Sequence, residues 1–161
     1  VPMGGDLLPT TTGNMPRFLV AASKDALGAN LDRVQIVKGW VGPDGTHHDR
    51  VYDVTWSEGR EVGADGRLPP VGSTVDLNTA TYRNTIGAAT LATVWEDPDF
   101  DPTVPALYYA RVLEIPTPRW TTYDAVRGKL PLPEDVPPII QERAWSSPIW
   151  YRPTSPEKEP Q

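Results

Sequence analysis

The sequence predicts an all-β protein: an immunoglobulin- or fibronectin-like β-sandwich of short antiparallel strands with long proline-rich loops. Proline accounts for 19 of the 161 residues, and it lacks the N–H that helix interiors and central strands need. Several short segments show the alternation or the β-branched and aromatic content of strands, and turn residues separate them. The sequence contains no internal repeat and no convincing amphipathic helix. Cysteine is absent, so the Cys–Trp–Cys signature of antibody domains is missing.

Composition divides the chain into three parts. Residues 1–16 offer little to bury, and we expect them to form an extended lead-in. Residues 17–153 contain the predicted strands and are expected to form the β-sandwich domain. Residues 154–161, TSPEKEPQ, have the composition of a disordered tail. Because the chain opens at Val1, we interpret it as a fragment or a processed product.

The clearest predicted element is a β-hairpin. The segment LDRVQIVKGWV (Leu31–Val41) places apolar residues on one face and Gln35 on the other. The segment GPDGT (Gly42–Thr46) has the Pro-Asp-Gly chemistry of a tight turn. His48–Trp56 then alternates again. Two strands of similar length around a short turn predict an antiparallel hairpin.

The other predicted strands are shorter and lie between loops. Leu107–Ile115 is the strongest of them, and Pro116 and Pro118 end it. A single helical turn is expected around Tyr123–Val126. The remaining predicted strands are Arg17–Lys24, Thr74–Tyr82, Leu91–Trp95, residues 139–145 and Ser147–Arg152.

The charge balance limits the partners. A formal net charge of −6 argues against nucleic acid, because phosphate binding needs clustered Lys and Arg. It argues equally against an anionic membrane surface, and no apolar run approaches the roughly 20 residues that span a bilayer. The lack of cysteine excludes disulfides, Cys-ligated zinc and thiol catalysis. We therefore expect no nucleic acid, no membrane insertion and no cofactor in this chain.

Motifs that would carry chemistry are weak. His47 and His48 are neighbours on a predicted strand and should point to opposite faces, so they are poorly placed to hold one metal ion together. In WEDPDFDP, the carboxylates Asp97, Asp99 and Asp101 have the i, i+2, i+4 spacing of calcium loops, but the Gly and Glu of an EF-hand are missing. A solvated acidic loop is the plainer interpretation. No nucleophile elbow and no phosphate-binding glycine motif occurs.

The segment EIPTPRWTTYDAVR (Glu114–Arg127) is the candidate functional strip. Its two prolines stiffen the backbone, and Arg, Trp and Tyr are enriched at interface centres. The plain alternative is a surface loop whose arginines pair with nearby acids. The strip residues predicted to serve an interface or to gate substrate are Arg119, Trp120, Tyr123, Asp124 and Arg127.

The tryptophans fall into two predicted groups. Four lie in predicted strands and are assigned mainly to packing: Trp40, Trp56, Trp95 and Trp150. Trp120 and Trp145 lie in or beside loops and are expected to be exposed anchors. A glycan-stacking platform is the alternative role for this set.

Several blocks, in order, resemble a known family. VPMGGDL, ANLDRVQIVKGWV, RVYDVTW, LATVWEDPDFDP, YYARVLEIPTPRWTTYDAVR and IQERAWSSPIWY are together similar to the C-terminal β-rich region of a large bacterial family of uncharacterised proteins. Members join this region to an N-terminal metal-dependent phosphoesterase-like domain, of the polymerase-and-histidinol-phosphatase type. The resemblance implies that the divalent metal and its His and Asp ligands belong to that upstream domain. It also suggests an exported or periplasmic location.

The resemblance, taken with the residues, leads to a functional expectation. The chain is expected to be a non-catalytic accessory domain of a metal-dependent hydrolase, packing on or gating the upstream catalytic domain of the same polypeptide. The alternative is a β-sandwich module that binds carbohydrate or surface partners. An exposed apolar patch around Trp120 and Trp145 would favour the first, and a shallow groove of parallel aromatic rings would favour the second.

Overall fold

A computed structural model describes residues 1–9 and 15–153. Ten strands and one α-helix lie within these residues, and the all-β prediction is confirmed at this level. The immunoglobulin- or fibronectin-like sandwich is not confirmed, because the sheets are open. The elements are β1 (Asp6–Leu7), β2 (Arg17–Ser23), β3 (Leu31–Val41), β4 (His47–Trp56), β5 (Thr90–Glu96), β6 (Ala106–Glu114), β7 (Thr117–Pro118), α1 (Trp120–Gly128), β8 (Ile139–Ile140), β9 (Arg143–Trp145) and β10 (Ile149–Tyr151).

The main sheet has six strands in the order β1-β10-β6-β3-β4, with β9 also paired to β6. The predicted hairpin is confirmed, since β3 and β4 pair antiparallel over most of their length. The turn between them closes through a bond from Gly42 N to the Thr46 carbonyl at 2.8 Å. Gly45 takes a φ of +80° there, a conformation that suits glycine. The longest strand, β3, is therefore an interior strand of the sheet, between β4 and β6.

A separate two-stranded ribbon, β2 paired antiparallel with β5, packs on one face of the main sheet. Phe18 of β2 contacts the ring of Tyr108 of β6, with centroids 4.6 Å apart. Trp95 of β5 packs against Phe18 at 5.9 Å and against Tyr52 at 4.9 Å. Because β2 and β5 are far apart in sequence, this ribbon forms only through tertiary pairing.

Strand register divides the main sheet into two faces, since residues opposite each other on paired strands share a face. We call the ribbon side the inner face and the other side the outer face. The inner face includes Ile36, Lys38, Trp40, Tyr52, Tyr108 and Ala110. The outer face includes Gln35, Val37, Gly39, Val51, Asp53, Leu107, Tyr109, Arg111, Trp145 and Trp150.

The structure differs from the sequence prediction in the first half of the chain. The lead-in predicted over residues 1–16 contains β1, which pairs parallel with β10 and so joins the main sheet. Residues 10–14 and the predicted tail 154–161 lie outside the described residues. The strand predicted over Thr74–Tyr82 is wrong, because only one isolated bridge, Asp76 with Thr81, forms there.

The second half shows two more differences. The single strand predicted over residues 139–145 is divided into β8, which pairs with β7, and β9, which pairs with β6. The single helical turn predicted around Tyr123–Val126 is a helix of nine residues, α1. Lys129 ends it in the left-handed conformation, with φ of 53°. Within the described ranges, no helix has the length and apolarity that crossing a bilayer requires.

Helix α1 is held by the segment before β8. Thr122 Oγ1 donates to the Pro138 carbonyl at 2.7 Å, and Arg119 N donates to the same carbonyl at 2.9 Å. Thr122 and Ala125 are buried, so one side of the helix faces the protein. A short helix depends on tertiary packing for its stability. These contacts therefore explain why α1 is stable although it has two threonines near its start.

Candidate functional site

A buried ion pair lies at the centre of the inner face. Lys38 Nζ donates to Asp97 Oδ2 at 2.5 Å and to the Asp99 carbonyl at 2.7 Å. The Tyr108 hydroxyl donates to the same Asp97 oxygen at 2.7 Å. Asp97 is fully buried and Lys38 is nearly so. Because all three groups are partnered, the arrangement holds the segment after β5 against the sheet.

A second, more exposed group of charges lies beside this pair. Asp99 Oδ2 accepts hydrogen bonds from Arg50 at 2.6 Å and from the Tyr52 hydroxyl at 2.7 Å. Lys38, Arg50 and Asp99 border a cavity of about 410 Å³. Burial, and then the hydrogen bond to Asp99, raise the pKa of Tyr52. Burial and the bond to Asp97 raise that of Tyr108 in the same way.

The calcium candidates Asp97, Asp99 and Asp101 lie in this region, but each has another partner. Asp97 binds Lys38, Asp99 binds Arg50, and Asp101 accepts hydrogen bonds from its neighbour Thr103. In the part of the chain that the structure describes, no group of three or more His, Cys, Asp or Glu residues is arranged to hold a metal ion. Two of the three carboxylates, Asp97 and Asp99, are therefore paired with cationic side chains of the protein.

The two histidines lie at the start of β4. His48 pairs with Trp40 on the inner face and stacks on its ring, with centroids 5.3 Å apart. His47 pairs with Val41 on the outer face. The expectation that neighbouring histidines point to opposite faces agrees with this register.

A second buried carboxylate, Asp32, organises the loop between β4 and β5. It accepts hydrogen bonds from Arg60 at 2.7 Å, Gln141 at 3.0 Å and Arg33 at 3.1 Å. Arg60 and Arg33 also donate to the Pro69 carbonyl. Asp32 is 1% exposed. The network therefore joins the loop, the start of β3 and the segment before β9 at one point.

The predicted strip over Glu114–Arg127 forms the end of β6, β7 and the helix α1. Trp120, Tyr123, Asp124 and Arg127 have the spacing of one helical face, opposite to the buried Thr122 and Ala125 noted above. Trp120 is 69% exposed, and the Arg127 guanidinium lies 5.7 Å from the centre of the Tyr123 ring. Arg119 stands just before the helix. The structure thus brings four of the five strip residues to one surface.

The outer face carries exposed apolar side chains. Trp145 is 59% exposed, Trp150 44% and Val51 41%. The exposure of Trp145 agrees with its predicted role as an anchor. The prediction that Trp150 serves mainly packing is wrong, because the register with Leu107 turns its side chain to the outer face.

A depression of about 500 Å³ lies at one end of the sheet, beside Gly39, Leu107, His47 and Trp150. Gly39 has no side chain, and a Cβ there would come within 3.4 Å of Leu107. The small residue lets Leu107 lie over the strand and keeps this part of the surface concave.

Sequence reasoning missed the two buried charges of β3, Asp32 and Lys38. Their signal was present: each is a charged residue inside the otherwise apolar segment LDRVQIVKGWV. Asp and Lys are almost never fully buried unless they are paired. The pattern could have predicted partners for both, although not which residues these partners are.

Comparison with known proteins identifies a family and no characterised relative. A family model described as Protein of unknown function (DUF3604) matches residues 1–153. No curated protein and no solved structure matches the chain. The resemblance to an uncharacterised family is therefore confirmed, and the link to a phosphoesterase-like domain stays a prediction.

The buried pair predicts a non-additive mutational result. Lys38→Met should lower the free energy of unfolding by roughly 3–5 kcal/mol, because it leaves the Asp97 carboxylate buried without its cation. The double variant Lys38→Met with Asp97→Asn should recover much of this loss, since it removes the unpaired charge and keeps an acceptor for Tyr108. Urea unfolding of the chain measures both changes.

The matched control for this prediction is the exposed pair between Arg17 and Glu96, which are 69% and 48% exposed. Arg17→Gln should change the free energy of unfolding by less than about 1 kcal/mol. Equal losses in Lys38→Met and Arg17→Gln would show that the buried pair contributes no more than a surface one.

The raised pKa values of Tyr52 and Tyr108 predict a loss of stability at alkaline pH. In the folded chain both phenols stay neutral at pH values above their ordinary pKa of 10.0, whereas in the unfolded chain they ionise at those pH values. The stabilising contribution is therefore complete below pH 10 and is lost as pH rises further, by up to about 1.4 kcal/mol per pH unit for the buried Tyr108 and by less for the more exposed Tyr52. Urea unfolding measured above and below pH 10 should show that the free energy of unfolding falls less with pH in Tyr108→Phe than in the wild type. An identical decline in wild type and Tyr108→Phe would contradict this assignment.

Proposed function

The chain belongs to the DUF3604 family, and we propose that it is a non-catalytic accessory module of a larger metal-dependent hydrolase. In this proposal it docks through its outer face on a phosphoesterase-like catalytic domain of the same polypeptide. The divalent metal and the hydrolytic chemistry belong to that domain. The chain supplies a rigid platform and, through the α1 strip, a gate for substrate.

The observation that carries this proposal is the composition of the outer face. Three exposed apolar side chains belong to strands of the main sheet: Trp145, Trp150 and Val51. Tyr109 of β6 lies between them in the strand register. Exposed apolar side chains that cluster on one surface mark interaction sites, and tryptophan is enriched among the residues that dominate binding energy. A sheet also presents these side chains without the entropic cost of ordering a loop.

Charge on the same face indicates what the partner surface carries. Arg111 of β6 donates through Nε to Gln35 at 2.8 Å. Gln35 in turn donates to Asp53 at 2.8 Å. Arg143 lies on the neighbouring strand β9, exposed. A surface with arginines between tryptophans suits a partner with carboxylates at matching positions.

The helix strip extends this surface. Arg119 and Trp145 border the same cavity, so the beginning of α1 lies beside the outer face. Trp120 and Arg127 then project from a helix that Pro138 and the buried Thr122 hold in place. A rigid aromatic and a guanidinium in these positions suit a gate at the edge of a neighbouring active site, where the arginine meets an anionic substrate.

A carbohydrate- or surface-partner-binding module is the second candidate, and one observation favours it. The concave region beside Trp150, at about 500 Å³, has the size of a small-molecule site, and an exposed indole ring can stack on a sugar. A glycan screen separates the candidates, because the docking proposal expects no saturable sugar binding at Trp150.

The docking proposal predicts which substitutions separate the two domains. In the complete reading frame, expressed as two separate domains, Trp145→Ser and Val51→Asp should each weaken association by roughly 2 kcal/mol or more, as interface anchors do. Isothermal titration of one domain with the other measures this change.

The matched control lies on the ribbon. Val94 of β5 is 51% exposed and lies away from the pocket that Trp145 borders, so Val94→Ser should leave association unchanged. The docking proposal fails if all three variants associate as tightly as the wild type.

A further inference from the structure

We propose that a cavity between β8, β9 and the start of α1 binds a small oxyanion, a phosphate or a carboxylate, attached to a flat apolar group. The cavity has a volume of about 450 Å³, within the range of small-molecule sites. Arg119, Arg143 and Trp145 border it, and the β8 residues Ile139 and Ile140 add apolar surface. This inference goes beyond the proposed function because it concerns the chain alone and needs no catalytic domain.

The two arginines bring positive charge to the cavity. In residues 1–9 and 15–153, neither Arg119 nor Arg143 forms an ion pair. Arg119 Nε donates to the Pro137 carbonyl at 3.0 Å, which positions this guanidinium and leaves its terminal nitrogens available. Two guanidinium groups at one cavity favour an oxyanion, because each can donate two parallel hydrogen bonds to it.

One acid, Glu142, also borders the cavity. Among the ion pairs of the described residues, Glu142 pairs with neither Arg119 nor Arg143. Its backbone carbonyl accepts a hydrogen bond from Glu114 N at 3.0 Å, which ties this segment to the end of β6. Two guanidinium groups and one carboxylate therefore leave the cavity with an excess of positive charge.

The wall of the cavity is fixed before any ligand binds. Gln141 Nε2 donates to Asp32 at 3.0 Å and to the Glu114 carbonyl at 2.9 Å. Asp32 is itself held by Arg33 and Arg60, as described above. These hydrogen bonds anchor the backbone that carries Arg143 to β3, the strand that contains Asp32. A preorganised site loses less entropy when it binds.

Trp145 defines the second part of the ligand. Its indole is 59% exposed, and it borders the same cavity as the two arginines. An aromatic face beside guanidinium groups favours a planar apolar group next to the anion. The combination distinguishes an aryl phosphate or aryl carboxylate from a free inorganic ion.

Four probes test this class of ligand with the purified chain: phenyl phosphate, benzoate, inorganic phosphate and benzyl alcohol. Binding is followed by the amide signals of residues 139–145 and by tryptophan fluorescence. Phenyl phosphate or benzoate should bind with saturation, inorganic phosphate more weakly, and benzyl alcohol not at all. The stronger of the two aryl anions identifies the preferred oxyanion. The proposal is overturned if neither aryl anion saturates at millimolar concentration, or if benzyl alcohol binds as well as they do.

Variants locate the binding. Arg143→Gln and Arg119→Gln should each weaken aryl anion binding by roughly tenfold, the loss expected for one charge-assisted hydrogen bond. Trp145→Ala should weaken the binding of the aryl anions and leave the binding of inorganic phosphate unchanged. Arg83→Gln removes an exposed arginine outside this cavity and should bind as the wild type does, which controls for net charge. Equal affinity in Arg143→Gln, Arg119→Gln and wild type would refute the site, and Arg143 is exposed enough that its variant should fold.

Discussion

The buried ion pair between Lys38 and Asp97 joins the two layers of this protein. Apolar packing of Phe18 against Tyr108 draws the ribbon onto the main sheet, but the hydrophobic effect has no direction of its own. The ion pair adds direction, because Asp97 directly follows the ribbon strand β5 and Lys38 lies at the centre of β3. A charge without its partner is costly in a dry interior. Arrangements that separate the two are therefore disfavoured, and the position of the ribbon depends on this contact.

Local sequence chemistry predicts the parts of the fold whose contacts are local. The hairpin of β3 and β4 follows from its alternation and from the turn at Gly42–Thr46, and both lie within one short segment. The pairing of β1 with β10 joins opposite ends of the chain, and strands of two or three residues show no measurable periodicity. Helix α1 is similar: its sequence gives a weak signal, and its stability comes from Thr122 and Ala125 packing on the protein. In these places tertiary contacts override propensity.

Prediction from the sequence meets the same limit at the charged residues of the candidate sites, because their partners are distant in the chain. The spacing of Asp97, Asp99 and Asp101 indicates a cation, and the structure provides one in Lys38, which is 59 positions before Asp97. The sequence predicts a solvated acidic loop, with calcium as the alternative, because the acids are close together in the chain and the lysine is distant. The lysine inside the β3 strand and the aspartate directly after β5 are each half of a pair. Only the fold shows that the halves belong together.

The two sides of the main sheet differ in whether their charged side chains form ion pairs. Paired charges contribute to stability, and unpaired ones are suited to binding. On the inner face the charges of Lys38 and Asp97 neutralise each other. The chain has 21 acidic residues, so a partner for every arginine would be easy to supply. Within the described ranges, Arg119 and Arg143 nevertheless stand beside Trp145 without one. Cations and aromatic rings that the fold holds in place without pairing them are suited to contacts with groups outside the chain.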